Sequence, residues 1–268
     1  MDILFNEKLE RLGAAVARLL RAEPGFFAIA VHDLHTNQLW QFQSQPMRSA
    51  SLIKLFIMAE AFAQIDAGQL SPSDRLAFAE SDRVGGAGLL QELPAGTSRT
   101  VLDLIELMIT ESDNIATNLL IDRLGMEKIN ARIRALDCQD SILRRKMMDF
   151  AAAAAGQENL TSVMDVATVL AALHRGLCLD STSDRQMCDI LERQTDRCKI
   201  PLLLPTGVVC KHKTGELPGA EHDAGIILAA DSAYVLAIMS DNLQDSARGC
   251  QTIAQISRTV YEVLTTNQ

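Results

Sequence analysis

The sequence predicts an α/β chain of the α+β kind, in which an antiparallel sheet flanked by two terminal helices is joined to a second, all-helical lobe. Three observations carry this. Strand-type patterns are confined to the two ends of the chain, the periods found between residue 50 and about 195 are helical and separated by Gly- and Ser-containing breaks, and the first and last segments are themselves amphipathic helices. The expected division is therefore 1–49 with 198–268 for the sheet lobe and 50–197 for the helical lobe, with a cleft where the two meet.

Each element has a local reason. Residues 3–21 place Leu9, Leu12, Val16 and Leu19 on one helical face, with Glu7, Lys8, Arg11 and Arg18 mostly opposite, and Pro24-Gly25 ends the helix. Phe26 to Val31 and Gln38 to Phe42 read as a hairpin closed through Asp33 to Asn37. Helical periods follow over 51–64, 100–110, 114–124, 126–136, 162–175 and 184–194. Thr161 and Ser162 stand where the fifth of these begins, and Gly176 stands where a left-handed cap would end it. Val208 to Lys213, Ala224 to Ala230 and Ala233 to Met239 have the length and β-branched content of antiparallel strands, with Ala230-Asp231-Ser232 as a turn. A closing helix over 245–264 carries Ile253, Ile256, Val260 and Val263 on one face.

Composition narrows the function classes. With 25 Lys and Arg against 34 Asp and Glu, the net charge of −9 argues against a general affinity for nucleic acid. Charged or polar residues interrupt every apolar run before the roughly 18 to 20 residues needed to cross a bilayer, so no membrane span is expected. Six cysteines without a Cys-x-x-Cys pair read as reduced thiols. Cys198, Cys210 and His212 could be grouped as metal ligands, but alternate strand residues share a face without forming a site, so neither metal nor organic cofactor is expected. The opening stretch Met1 to Lys8 carries acids early and no cleavable apolar segment follows. As written the expectation is a cytoplasmic monomer, or a periplasmic or secreted one if a leader has been removed.

Lys54 is the informative anomaly, because it interrupts the apolar segment Ser51-Leu52-Ile53-Lys54-Leu55-Phe56-Ile57-Met58-Ala59 and a buried lone ammonium is costly. A helix starting near Ser51 places both residues on one face. A serine hydroxyl needs a base to attack at neutral pH, and a desolvated lysine is one such base. A capping serine and a snorkelling lysine would explain the pair equally well. Ser112-Asp113-Asn114, at a junction of two helices, and Lys213-Thr214-Gly215, at the end of a strand, each also have a plain structural reading: a helix cap and a turn.

Together, in this order, with 58 residues from Lys54 to Ser112 and 99 from Asn114 to Lys213, the three segments resemble the motif trio of the class A β-lactamase and penicillin-binding-protein superfamily. The order of helices and strands resembles that family's layout over essentially the whole chain. The resemblance implies a serine hydrolase acting on small acyl substrates, β-lactams first. Ser51 would form the acyl-enzyme, and Lys54 would take its proton directly or through water. Ser112 would protonate the departing nitrogen. Asn114 would bind the substrate's side-chain amide, and Lys213 with Thr214 its carboxylate, while Lys213 also biases the proton relay around Ser112. Gly215 would admit the substrate backbone, and the backbone N–H groups of Ser51 and Glu216 would form the oxyanion hole. Lys54, Lys211, Lys213 and His212 would make the cleft locally positive despite the net charge. His222-Asp223 reads as structural, because adjacent strand residues point to opposite faces.

The resemblance breaks at one place. The family carries a Glu-x-x-x-Asn motif before the helix that starts here near Thr161, and its glutamate activates the hydrolytic water. In this chain counting back from Thr161 puts Lys146 near that position, and Asp149 and Glu158 are the local carboxylates. Asp149 is expected to bridge to Arg144 or Arg145, and Asn159-Leu160-Thr161 to begin a helix. Deacylation is thus the open step. It leaves two alternatives: a peptidase, amidase or esterase acting on D-Ala-D-Ala peptides or other acyl groups through the same Ser51, and a penicillin-binding sensor that captures ligand without turnover.

Overall fold

A computed structural model describes residues 3–230 and 232–265; Met1, Asp2 and Asp231 of the expected 230–232 turn lie outside them. In chain order the elements are α1 (Ile3–Leu20), β1 (Phe26–Asp33), β2 (Leu39–Phe42), β3 (Met47–Arg48), α2 (Lys54–Asp66), β4 (Arg75–Ala77), β5 (Ser98–Thr100), α3 (Val101–Thr110), α4 (Asn114–Leu124), α5 (Met126–Ala135), α6 (Phe150–Ala154), β6 (Leu160–Thr161), α7 (Val163–Arg175), α8 (Ser181–Glu192), β7 (Val209–Leu217), β8 (Ala220–Ala229), β9 (Ser232–Asp241) and α9 (Ser246–Thr265). A 3₁₀ turn over Ala50–Ile53 leads directly into α2.

Five strands form one antiparallel sheet in the order β2-β1-β9-β8-β7, so the two chain ends are woven together and β7 lies at an edge. The period-2 alternation of β1 and β9 separates two cores. Ile29, Leu236 and Ile238 face Leu12, Val16, Ile253 and Ile256 of α1 and α9. Ala28, Ala30 and Ala237 face the helices on the other side, and these small side chains let α7 lie close against the sheet. Helix α2 is buried on nearly all sides and anchors the helical part. No helix among the described residues is long and apolar enough to cross a membrane.

Local caps follow the sequence closely. Ser162 Oγ accepts from the N–H of Asp165 at the start of α7, and Gly176 ends that helix with φ +69°. Asp180 caps α8, which begins at Ser181, three residues before the sequence places its start.

Three local expectations change. The middle of the chain is not purely helical: Arg75–Ala77 pairs with Ser98–Thr100, and Leu160–Thr161 pairs with Met47–Arg48. These ladders are too short to show a period. Asn159-Leu160-Thr161 does not begin a helix, because the Asn159 side chain is buried and holds the N–H groups of Arg144 and Arg145 and the carbonyl of Arg145. Strands β7 and β8 also run further than their apolar patterns indicate. Lys213-Thr214-Gly215 and His222-Asp223 lie within them, since buried polar partners replace apolar packing there.

Gly225 pairs with His212, and a Cβ at Gly225 would stand 2.5 Å from His212 Cβ and 2.7 Å from the Lys211 carbonyl. Gly225→Ala is expected to destabilise the protein by about 1–3 kcal/mol through overpacking, read as a lower urea midpoint at unchanged slope.

Candidate active site

Ser51 sits in the 3₁₀ turn Ala50–Ile53, and Lys54 opens α2 immediately after it. With three residues per 3₁₀ turn, positions 51 and 54 fall on the same side. The turn is anchored by the Leu52 N–H on the Ser49 carbonyl at 3.0 Å, and Ala50 adopts φ +46°. Ser112 lies between α3 and α4 with φ +53°, a left-handed conformation that costs a serine about 1–2 kcal/mol. Asp113 offsets that cost. Its carboxylate is fully buried, caps α4 through the Ala116 N–H at 2.8 Å, and accepts from the Leu90 N–H at 2.8 Å, pinning the neighbouring loop.

The Ser112 hydroxyl is the meeting point of the site. It donates to Ser51 Oγ at 2.9 Å and accepts from Lys54 Nζ at 3.2 Å and Lys213 Nζ at 3.0 Å, which uses its one donor and both acceptor positions. Lys54 Nζ donates further to the Ser112 carbonyl at 2.7 Å and to Asn114 Oδ1 at 3.0 Å. No hydrogen bond runs directly between Lys54 and Ser51 among the described residues, so the hydrogen-bonded route between them passes through Ser112 Oγ. Lys213 Nζ is also held by the Thr214 carbonyl at 2.9 Å.

Both lysines are fully buried, and this governs their charge. Burial pushes the Lys54 ammonium well below the ordinary lysine pKa, the charge of Lys213 adds to the effect, and Asp113 opposes it. Burial likewise lowers Lys213, to about 7; Lys199 assists, and Asp223 and Asp196 oppose. Two lysines depressed by burial beside one hydroxyl can hold and pass a proton more readily than free ammonium groups.

Above this floor lies a cleft of about 670 Å³ lined by Ser51, Ser112, Asn114, Thr214, Gly215 and Glu216, among others. Asn114 is oriented at both ends of its amide, since Nδ2 donates to the Gly85 carbonyl at 3.1 Å while Oδ1 receives Lys54. A Cβ at Gly215 would stand 3.1 Å from Ala50 Cβ and 3.3 Å from Ser51 N. The glycine therefore serves the nucleophile's own turn: it lets the edge strand close on Ser51.

Other expected features fall elsewhere. Lys211 pairs with Glu192 at 2.9 Å on the α8 side, and His212 is buried against Asp223 at 2.9 Å, so neither lines the cleft. His222 and Asp223 do point apart, His222 toward the Arg48 carbonyl and Asp223 toward His212 and the Ile200 N–H. Asp149 does not bridge to Arg144 or Arg145; it caps α6 through the Ala152 N–H. Arg145 instead grips Glu158 at 2.6 Å, and Lys146 turns outward to Asp122 at 2.6 Å. Met147 and Met148 line the cleft in this region. Lys199, buried beneath β7, is a residue the sequence reading passed over. It stands at the head of the apolar run Ile200-Pro201-Leu202-Leu203-Leu204, directly after Asp196-Arg197-Cys198, so its burial has no local signal like that of Lys54.

The profile of the Beta-lactamase enzyme family matches residues 11–264 of the chain. The chain is similar to the extended-spectrum beta-lactamase PER-1 of Pseudomonas aeruginosa, with 25% identity over 250 residues covering 86% of this chain and 79% of that protein. Among solved structures it is similar to a beta-lactamase from Sphaerobacter thermophilus, at 31% identity and a TM-score of 0.87 over 94% of this chain and 95% of that one. It is also similar to a mutant of PBP-A solved as its acyl-enzyme complex with penicillin G, at 28% identity and a TM-score of 0.88 over 95% and 96% of the two chains. A profile match over nearly the whole length, on a fold shared with class A β-lactamases, leads to one assignment: the chain belongs to the beta-lactamase enzyme family and is a β-lactamase-like serine hydrolase.

Proposed function

We propose that the protein acylates itself on Ser51 with β-lactams and releases the product slowly. The observation that carries this reading is the hydroxyl array at the cleft floor, Ser51 Oγ to Ser112 Oγ at 2.9 Å with Lys54 and Lys213 both on Ser112. A neutral Lys54 amine accepts the Ser112 proton as Ser112 takes that of Ser51, so the serine becomes nucleophilic as it meets the carbonyl carbon. The N–H groups of Ser51 and Glu216 receive the oxyanion of the tetrahedral intermediate. The relay then runs outward, Ser112 protonating the ring nitrogen as the amide bond breaks. Lys213 and Thr214 hold the substrate carboxylate, and the Asn114 amide orients the acyl side chain.

Release is the slower half for a chemical reason. A hydrolytic water needs a base, and the loop facing Ser51 offers the thioethers of Met147 and Met148. Of the carboxylates of that region, Asp149 caps a helix, and Glu158, which lines the cleft with the methionines, has its Oε1 filled by Arg145 Nε at 2.9 Å, Arg145 Nη2 at 2.6 Å and the Asn159 N–H at 2.9 Å. The same observation favours a second reading, a penicillin-binding protein or sensor that keeps the acyl group, and the resemblance to the penicillin G acyl-enzyme of PBP-A is consistent with it.

Intact-protein mass spectrometry after mixing with benzylpenicillin, run beside a ring-opening absorbance assay, separates these outcomes. The expected result is an adduct that outlives its formation, with product accumulating slowly beyond one equivalent; product fixed at one equivalent selects the retaining protein. Ser51→Ala is expected to abolish the adduct, and an adduct on that variant overturns the nucleophile assignment. Ser112→Gly is expected to slow acylation by about 10²-fold or more, because it removes the relay. Its folding stability should stay within about 1 kcal/mol of the parent by urea unfolding, since glycine accepts the left-handed backbone there. Asp149→Asn is expected to leave the release rate unchanged, measured as decay of the adduct; an adduct that decays more slowly than the parent's, at an unchanged rate of formation, would make Asp149 the base.

A further inference from the structure

Beneath the edge strand that carries Lys213-Thr214-Gly215 lies a second buried cation. Lys199 is 2% exposed, and its Nζ forms an ion pair with Glu221 Oε2 at 2.8 Å, donates to the Gly215 carbonyl at 3.3 Å, and stands 3.8 Å from Asp196. Glu221 is equally buried and pairs in register with Glu216 across β7 and β8. The next peptide is fixed as well: the Ile200 N–H donates to Asp223 Oδ2 at 2.9 Å, and the Ile200 carbonyl accepts from Ser257 Oγ of α9 at 2.9 Å. Lys199 is thus bolted to the strand by the buried Glu221 below and by Asp196 and the Gly215 carbonyl, which belong to residues at the cleft wall.

An ion pair this deep is expensive for stability alone, because desolvating both groups offsets much of their attraction. Its placement suits another purpose. The groups that face Lys213 are Lys54 from α2, Ser112 from the junction of α3 and α4, Asp223 from β8, and Asp196 and Lys199 from the segment after α8, with His212 paired to Asp223 behind them. Among these Lys199 is the cation whose charge is secure: burial pulls its pKa down, but Glu221, Asp223 and Asp196 together hold it above the ordinary lysine value. Lys54, by contrast, is depressed and alternates between its two states during the relay.

We propose that Lys199 is a positioning residue for the reaction at Ser51: it ties the Gly215 carbonyl to Glu221 and stands as a permanent positive charge beneath Lys213, so that the hold of Lys213 on an anionic substrate group weakens as pH rises. This rests on the acylation reading above. In the free protein Lys213 is near half-protonation at neutral pH, with burial and then Lys199 as the causes. An incoming carboxylate supplies the missing counter-charge and draws the proton on, so the site distinguishes anionic from neutral substrates by more than their shape. Above neutrality the free site has a neutral Lys213, and capture of an anionic β-lactam falls.

The test compares the parent with Lys199→Arg and with the double variant Lys199→Met, Glu221→Met, which removes the pair together and leaves no unpaired buried charge. Second-order acylation by benzylpenicillin is followed from pH 5.5 to 9.5 by mass spectrometry. In parallel, Lys213 is titrated directly by ¹³C NMR of ε-labelled lysine, its resonance assigned with Lys213→Arg. The parent is expected to lose acylation with an alkaline midpoint near 7, matching the NMR titration. In the double variant both midpoints are expected to move upward by roughly one pH unit, which is about tenfold in the ratio of protonated to neutral Lys213. Lys199→Arg is expected to keep the parent's midpoint, since it keeps the charge. A purely structural role would lower acylation at every pH and leave both midpoints in place. No Ser51 adduct in the parent overturns the acylation reading and this inference with it; an adduct with unmoved midpoints in the double variant overturns this inference alone.

Discussion

Two buried lysine ammonium groups share one serine hydroxyl, and much of the surrounding structure is arranged so that this can persist. Lys54 and Lys213 have no contact with solvent, and in a low-dielectric interior each would be driven to neutrality or repelled by the other. The site manages this with acceptors rather than with a carboxylate partner in direct contact. The carbonyls of Ser112 and Thr214, the amide oxygen of Asn114 and the Ser112 hydroxyl together take up the lysine donors. The carboxylates of Asp113, Asp196 and Asp223 act one step removed. Both amines are therefore left with pKa values where a proton can be moved, which a tight carboxylate bridge would forbid.

The scaffold supplies these acceptors from three distant parts of the chain. Helix α2 brings Lys54, the α3–α4 junction brings Ser112 and Asn114, and edge strand β7 brings Lys213. Rigid anchoring makes the meeting possible: a left-handed Ser112 held by the capping and loop-pinning Asp113, an Ala50 turn at φ +46°, and a glycine at 215 where any side chain would press on that turn. Two of the left-handed non-glycine residues, Ala50 and Ser112, stand beside Ser51, and the buried cap and strand pairing around them hold them there.

The loop across the cleft departs from that economy. Its polar residues hold the loop together, Arg145 on Glu158 and Asn159 on the backbone of residues 144 and 145, and Met147 and Met148 join them in lining the cleft. A thioether packs adaptably but accepts no proton at neutral pH. The contrast between the hydroxyl and lysine array on one side of the cleft and this loop on the other underlies the proposal of slow release.

Most of the fold was legible in local pattern. The 3.6-residue periods, the Ser162 and Gly176 helix ends and the β-branched runs are properties of short windows, and the segments they marked are helices and strands of the structure. Lys54 was legible as an anomaly, since a lysine inside an apolar run demands an explanation, and Ser51 and Lys213 through the motif segments that hold them. Lys199 had neither signal, because it heads an apolar run next to charged residues and has no motif beside it. The ladders of two and three residues were not legible, because so few residues hold no period, and the full lengths of β7 and β8 were hidden because their buried charges look like the polar end of a strand.

The sequence alone determined the succession of elements, the family resemblance and the candidate nucleophile, Ser51. Tertiary structure alone decided how the parts are wired. The Ser51–Lys54 link runs through Ser112, Lys211 and His212 turn away from the cleft, Asp149 is a helix cap, and Lys199 lies beneath the edge strand. The physical reason is distance along the chain. Propensity and periodicity act over a few residues, whereas the hydrogen bonds that join Lys54 and Lys213 to Ser112 span 58 and 101 positions, and only the closed fold brings these groups within reach of one another.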